Sequence, residues 1–288
     1  MNKRLYVGSV LLVLSLLTAC GQSGQANQEN RNHTAHVQEV PEAHSESHSG
    51  HGDEPTIKHM DLKASFTFAS GTAAANEETE LTIAISDTDG DPINEFELNH
   101  EKFLHLIVVD HDLSYFNHIH PEFQGDGRFT INTTFPAGGE YKVFADFVPL
   151  GGSSTTLSEW VEVEGKEGEH AAITADSELV KEADGKEVGL SLSSTKSNEE
   201  ITLTFDIRDS MTKEGIDNLE PYLGAVGHVV ILSADAEQYI HVHPIDEEAT
   251  GPTAQFATSF PQSGTYKIWG QFQHNGQVIT APYVIDIQ

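Results

Sequence analysis

His105-Leu-Ile-Val-Val-Asp-His-Asp112-Leu-Ser-Tyr-Phe-Asn-His118-Ile-His120-Pro121 is a phrase that the chain writes twice. The second copy is His228-Val-Val-Ile-Leu-Ser-Ala-Asp235-Ala-Glu-Gln-Tyr-Ile-His241-Val-His243-Pro244. Both reduce to H-x6-D-x5-H-x-H-P without a gap, although most residues between the fixed positions differ. Fixed positions recurring at one spacing mark a duplicated domain. In each copy a short apolar run precedes a second strand-like segment, with a turn at the aspartate.

If the two segments pair as a hairpin turning at Asp112-Leu113, residue 105 lies opposite 120 and 107 opposite 118. Opposed residues share a face, as do i and i+2 neighbours on one strand, so His105, His118 and His120 point the same way. Opposed residues lie about 5 Å apart and i, i+2 neighbours about 7 Å. Three imidazoles at that spacing can converge on one ion. The same arithmetic pairs His228 with His243 and leaves His241 beside them. Each copy is therefore expected to form its own three-histidine site, with an open position suited to Cu(II) or Zn(II). The competing reading starts from Ile107, Val109, Val230 and Leu232, which fall on the same faces. Those faces would then be core, and the histidines packing residues bonded to backbone. Asp112 and Asp235 read as turn-formers rather than ligands. His100, His111 and His274 lack repeat counterparts and read as surface residues, with His111 the candidate for an outer ligand.

Outward from the phrase, Leu62–Phe68 and Glu80–Ser86 alternate apolar and polar residues as half-buried strands do. Arg128–Phe135, Tyr141–Phe147 and Trp160–Glu164 follow, separated by Gly- and Pro-rich turns. The second unit repeats the order: Val188–Leu192, a strand ending at Ile207, the phrase, then Tyr283–Ile287. Phe260-Pro261 matches Phe135-Pro136, and Gly264-x-Tyr266-Lys267 matches Gly139-x-Tyr141-Lys142. No stretch longer than a turn or two has helical periodicity. The organisation is two all-β domains, 58–165 and 178–288, joined by a polar linker over 166–177. About seven short strands in each predict tandem β-sandwiches of the immunoglobulin-like or cupredoxin-like kind.

Ahead of them, Lys3 and Arg4 precede an apolar run from Leu5 to Leu17 that ends in Leu17-Thr18-Ala19-Cys20. This is the pattern of a secretory signal, residues 1–19, too short to be a spanning helix. Its ending resembles a bacterial lipobox, which implies cleavage before Cys20 and a diacylglyceryl group on its sulfur. The chain would then sit on the outer face of the cell membrane. Residues 20–57 are polar, acidic and His-rich and lack the apolar surface to offset chain entropy, so they read as a disordered tether. Its histidines His33, His36, His44, His48 and His51 are further candidate ligands, able to wrap an ion without a preformed site.

Fifteen basic residues against 45 acidic give a net charge of −30, and loss of Lys3 and Arg4 leaves 13 against 45, or −32. Such a surface repels nucleic acid and attracts cations. With Cys20 the only cysteine and its sulfur lipidated, no disulfide, thiolate ligand or cysteine nucleophile remains. A blue-copper centre, which needs a Cys ligand, is excluded. Only Met60 and Met211 survive in the mature chain, which counts against a Met-rich Cu(I) site. There is no phosphate loop, nucleophile elbow or HExxH helix, so an enzyme is not expected.

Gly138-Gly-Glu-Tyr-Lys and Ser263-Gly-Thr-Tyr-Lys are similar to a stretch of YtkA-like domains, small secreted sandwiches found near metal-handling genes. The resemblance spans most of each unit and implies the fold. The HxH pair resembles the copper-binding strand of copper–zinc superoxide dismutases, but their remaining ligand loop and disulfide are missing here, against dismutase activity. The expected function is a membrane-anchored protein binding copper or zinc for capture, buffering or delivery. Its expected partners are the lipid membrane, the ion, and a membrane metal transporter or other surface protein. The alternatives are an immunoglobulin-like interaction module with structural histidines, and a copper-dependent enzyme of the dismutase type.

Overall fold

A computed structural model describes residues 60–288. The expected signal sequence, Cys20 and the expected tether histidines His33, His36, His44, His48 and His51 lie outside the described residues. The rest is all-β, and among the described residues no helix is long and apolar enough to cross a membrane.

The first domain has ten strands: β1 Leu62–Phe68, β2 Ala73–Ala74, β3 Glu78–Asp87, β4 Phe96–Glu97, β5 Leu104–Asp110, β6 Phe116–Ile119, β7 Glu122–Gly125, β8 Arg128–Thr134, β9 Gly139–Pro149 and β10 Thr155–Glu164. The second has nine: β11 Val180–Ala183, β12 Lys186–Leu192, β13 Glu200–Asp209, β14 His228–Ser233, β15 Tyr239–Ile240, β16 Val242–Pro244, β17 Thr253–Ser259, β18 Gly264–His274 and β19 Gln277–Ile287. Each domain is a sandwich of two sheets. In the first, β1-β3-β8-β7 faces β2-β10-β9-β5-β6. In the second, β11-β12-β13-β17-β16 faces β15-β14-β18-β19. The short strands β7, β11 and β16 escape a reading of the sequence, since three or four residues of alternation leave no periodic signal.

Alternation builds the cores. β3 turns Leu81, Ile83 and Ile85 inward, against Phe129, Val143 and Phe147, and β13 does the same with Ile201, Leu203, Phe205 and Ile207. Tyr141 Oη donates to Ala137 O and Tyr266 Oη to Gln262 O, both at 2.9 Å, the same tyrosine corner in each repeat.

The strands that open the duplicated phrase behave differently. Every residue of β14 is buried, as is every residue of β5 except Asp110. Continuous apolar runs of this kind belong to strands covered on both faces. Leu104, Leu106 and Val108 enter the first domain's core, while Ile107 and Val109 turn outward. There they meet Val230, Leu232, Ala236 and Trp269 of the second domain, together with Leu113 and Phe144. Each of these residues packs against the other domain's copy of the same set. Phe116 stacks on Trp269 with centroids 4.6 Å apart, and their counterparts Tyr239 and Phe144 meet at 5.8 Å. Burying one such side chain contributes about 1.5–3 kcal/mol. Polar contacts add to the junction: Lys142 Nζ reaches Glu237 Oε1 at 2.7 Å, and Lys267 Nζ donates to Leu113 O at 2.7 Å. The face that carries the histidines is thus a core, but a core between domains.

Candidate metal centre

The hairpin of the first phrase forms in the expected register, with Ile107 opposite His118 and Leu106 opposite Ile119. His105 on β5 and His118 on β6 therefore share a face, and His120 follows one residue beyond the strand. The donor atoms of these three histidines lie within 4.8 Å of one another. Ring centroids are 5.2 Å apart for His105 and His118, 5.0 Å for His105 and His120, and 4.8 Å for His118 and His120. A buried triad that can hold a metal ion is in place.

Hydrogen bonds fix which nitrogens face inward. His105 Nε2 lies 2.9 Å from the backbone oxygen of Asn99. A carbonyl only accepts, so Nε2 carries the proton and Nδ1 is bare. His118 Nδ1 lies 2.7 Å from Gln271 Oε1, the amide being held by its Nε2 donating to Thr280 Oγ1. With the Gln271 amide in this orientation, His118 Nδ1 carries the proton and its Nε2 is bare. These two bare nitrogens face each other at 3.0 Å, and His120 Nε2 is buried without a hydrogen-bond partner. Two lone pairs at that distance repel unless a cation sits between or beside them. A proton is disfavoured there: burial above all pulls His105 down to about 4 and His120 to about 3, and His118 falls well below its ordinary value. Neutral imidazoles whose outer N–H groups are held by a carbonyl and an amide are the form in which histidine binds transition metals. An open groove of about 420 Å³ runs beside Asn117, Trp269 and Gln271 and is lined by one member of the triad, His118.

Residues 58–165 and 181–288 each match a family described as a domain of unknown function, DUF8832. The chain belongs to the DUF8832 family. No curated protein matches it. Among solved structures it is similar to FdeC, an Escherichia coli adhesin, at 16% identity over 79% of this chain and 65% of that one, with a TM-score of 0.27. Invasin, a bacterial integrin-binding protein, is similar at 13% identity over 79% of this chain and 39% of that one, with a TM-score of 0.24. Tandem immunoglobulin domains of titin give 10% identity over 81% of this chain and 99% of theirs, with a TM-score of 0.21. The chain spans less than two thirds of the length of the two bacterial proteins.

The second DUF8832 domain does not assemble the expected triad of His228, His241 and His243. Among the described residues only His105, His118 and His120 form a ligand group. The cause lies in strand pairing. β15 pairs with β14 for two residues only, Ile231 with Ile240 and Leu232 with Tyr239, and the chain then crosses to the other sheet, where β16 pairs with β17. Ile240 is buried in the second domain's core, whereas Asn117, at the same repeat position, stays half-exposed. The apolar side chain draws the strand inward and carries His241 and His243 away. Their rings remain 5.1 Å apart, both exposed, with His241 Nε2 on Ser154 Oγ at 3.1 Å.

His228 instead joins the first domain's cluster. Gly227 lets the start of β14 lie close on β18, since a Cβ there would stand 2.6 Å from Gln271 O. The His228 ring stacks on His105 at 5.2 Å and lies 4.7 Å from His118. His100 is not a plain surface residue. It occupies a tight turn with Glu101 in which both adopt positive φ, 46° and 66°, a conformation rare outside glycine. The turn sets the His100 ring 5.4 Å from His228 and 6.2 Å from His105. His111 and His274 lie away from the cluster. His274 bonds to Asn218 Oδ1, and the largely exposed His111 lies against Asp112. Asp112 does more than turn the chain: its Oδ2 accepts from His170 Nδ1 at 2.8 Å and Ala171 N at 3.0 Å, which latches the interdomain segment. Gln271, which orients His118, has no signature in sequence, because its partner is 153 residues away.

Proposed function

We propose that this DUF8832 protein is a lipid-anchored, extracytoplasmic, non-catalytic binder of divalent transition metal, copper or zinc, serving capture, buffering or delivery. The observation that carries the reading is the pair of bare nitrogens, His105 Nδ1 and His118 Nε2, opposed at 3.0 Å beside the unpartnered His120 Nε2. An all-imidazole donor set suits Zn(II) and Cu(II) over oxygen-seeking Mg(II) or Ca(II). The anchor rests on Leu17-Thr18-Ala19-Cys20, and the tether histidines act by raising the local ion concentration near the triad. Delivery would be to a membrane metal transporter or another surface protein.

Isothermal titration of residues 58–288 with Zn(II) and Cu(II) tests the reading without the tether. One ion per chain is expected, lost in a His105→Ala/His118→Ala variant. Absence of heat above buffer in the parent would return the chain to the interaction-module alternative. The anchor is tested separately by membrane fractionation, where Cys20→Ser should release the protein.

A further inference from the structure

We propose that His228, from the second domain, is the fourth ligand of the triad's ion, making a closed four-histidine centre that both domains share. This rests on the metal reading above and goes beyond it in coordination, in domain origin and in what the site can do.

Three observations point to it. His228 is buried, and its Nε2 has no hydrogen-bond partner. A buried polar nitrogen left unpaired in a native fold calls for an explanation such as an ion. Second, its ring stands at ligand spacing from two of the three triad rings, those of His105 and His118. Tetrahedral ligands at about 2.0–2.1 Å from a metal place imidazole centroids ~5 Å apart. The centroid separations of 5.2 Å from His105 and 4.7 Å from His118 match that spacing as closely as those within the triad. His228 is not among the donors that already converge within 4.8 Å, so coordination requires its ring to turn Nε2 toward the arriving ion. Third, the second domain already serves the site through Gln271, whose amide holds the tautomer of His118. The triad's orientation therefore depends on the docked domain before any ion is present.

The consequence is chemical. A zinc site with four protein ligands is closed, whereas a catalytic one keeps a position open for water or substrate. A four-histidine centre holds its ion and ties the two domains together through it. It offers no ground for dismutase-type turnover.

The test uses the mature chain with Cys20→Ser and with His33, His36, His44, His48, His51 and His59 changed to asparagine, so that only domain sites remain. Co(II) is the probe, read by its visible spectrum, with Zn(II) competition for affinity. The parent should bind one Co(II) with the intense bands of a tetrahedral site. His228→Ala should lose at least tenfold in affinity and show the weak bands of higher coordination, and added imidazole should restore the tetrahedral spectrum. His228→Gln, which keeps the volume, should behave as His228→Ala does before rescue, and serves if the alanine variant does not fold. Parent-like affinity and spectrum in either folded variant would overturn the inference while leaving the triad standing. A parent that binds no Co(II) or Zn(II) sinks the metal reading itself.

Discussion

Asn117 and Ile240 occupy the same place in the two copies of the phrase and send their strands different ways. In the first copy the hairpin runs four residues, Phe116–Ile119, and delivers His118 and His120 beside His105. In the second it stops after Ile240, and the next histidines belong to the opposite sheet or its approach. The ligand types and spacing are identical, yet one copy assembles a site and the other scatters it. Spacing in sequence thus sets which side chains can meet, while the burial preference of a neighbour decides whether they do.

The largest effect should separate the copies outright. His118→Ala/His120→Ala should weaken Zn(II) binding by about a thousandfold, since two of the three triad ligands are gone. His241→Ala/His243→Ala should change it by less than about twofold. Competition against a chromophoric chelator measures both, and equal losses would mean that the second copy also forms a site. Next in size is a swap at the divergent position. Ile240→Asn places an amide in the second core and should cost about 2–4 kcal/mol in urea unfolding. Asn117→Ile, at a half-exposed site, should stay within about 1 kcal/mol. Similar costs at both positions would remove the explanation given for the strand crossing.

The smallest effect concerns Asp146, the repeat counterpart of Gln271. Burial raises its carboxyl to about 7. The folded protein then holds a proton that the unfolded chain, titrating near 4, has released, so this group's contribution is full at low pH and is lost as pH rises from about 4 to 7. Asp146→Asn should flatten that decline and leave the variant more stable than the parent at pH 8, read as the difference between their melting temperatures across pH. The buried histidines slope the other way, but both proteins share them. No difference at pH 8 would show that the carboxylate is stabilised by contacts that the asparagine lacks.

Most of the fold was legible. Alternation marks β3 and β13, turn residues bound the hairpins, and the recurring Gly-x-Tyr-Lys locates the corner tyrosines. The triad of the first copy followed from strand geometry alone, because all three histidines belong to one hairpin. What stayed hidden was the junction. The runs Leu106–Val109 and Val229–Leu232 are apolar on both faces, which signals a second covered side, but not that each covers the other. Sequence alone places His228 with its own copy because it pairs neighbours along the chain, and nothing in it shows a strand whose outward histidine points into the other domain. Gln271 and Asn99 act through an amide and a backbone carbonyl across tertiary contacts, and those carry no motif.

The junction also bears on ancestry. Ile107, Val109, Leu113 and Phe144 meet the duplicates of themselves, Val230, Leu232, Ala236 and Trp269. A self-complementary patch of this kind is what a two-fold homodimer of a single domain presents. Such a dimer would have carried two equivalent histidine sites by symmetry. Fusing its subunits into one polypeptide replaces association between chains with a tethered encounter, so the pair no longer dissociates on dilution. It also releases the two halves from sequence identity. In the chain as it stands, one half keeps the hairpin that gathers ligands, and the other turns its leading histidine toward its twin.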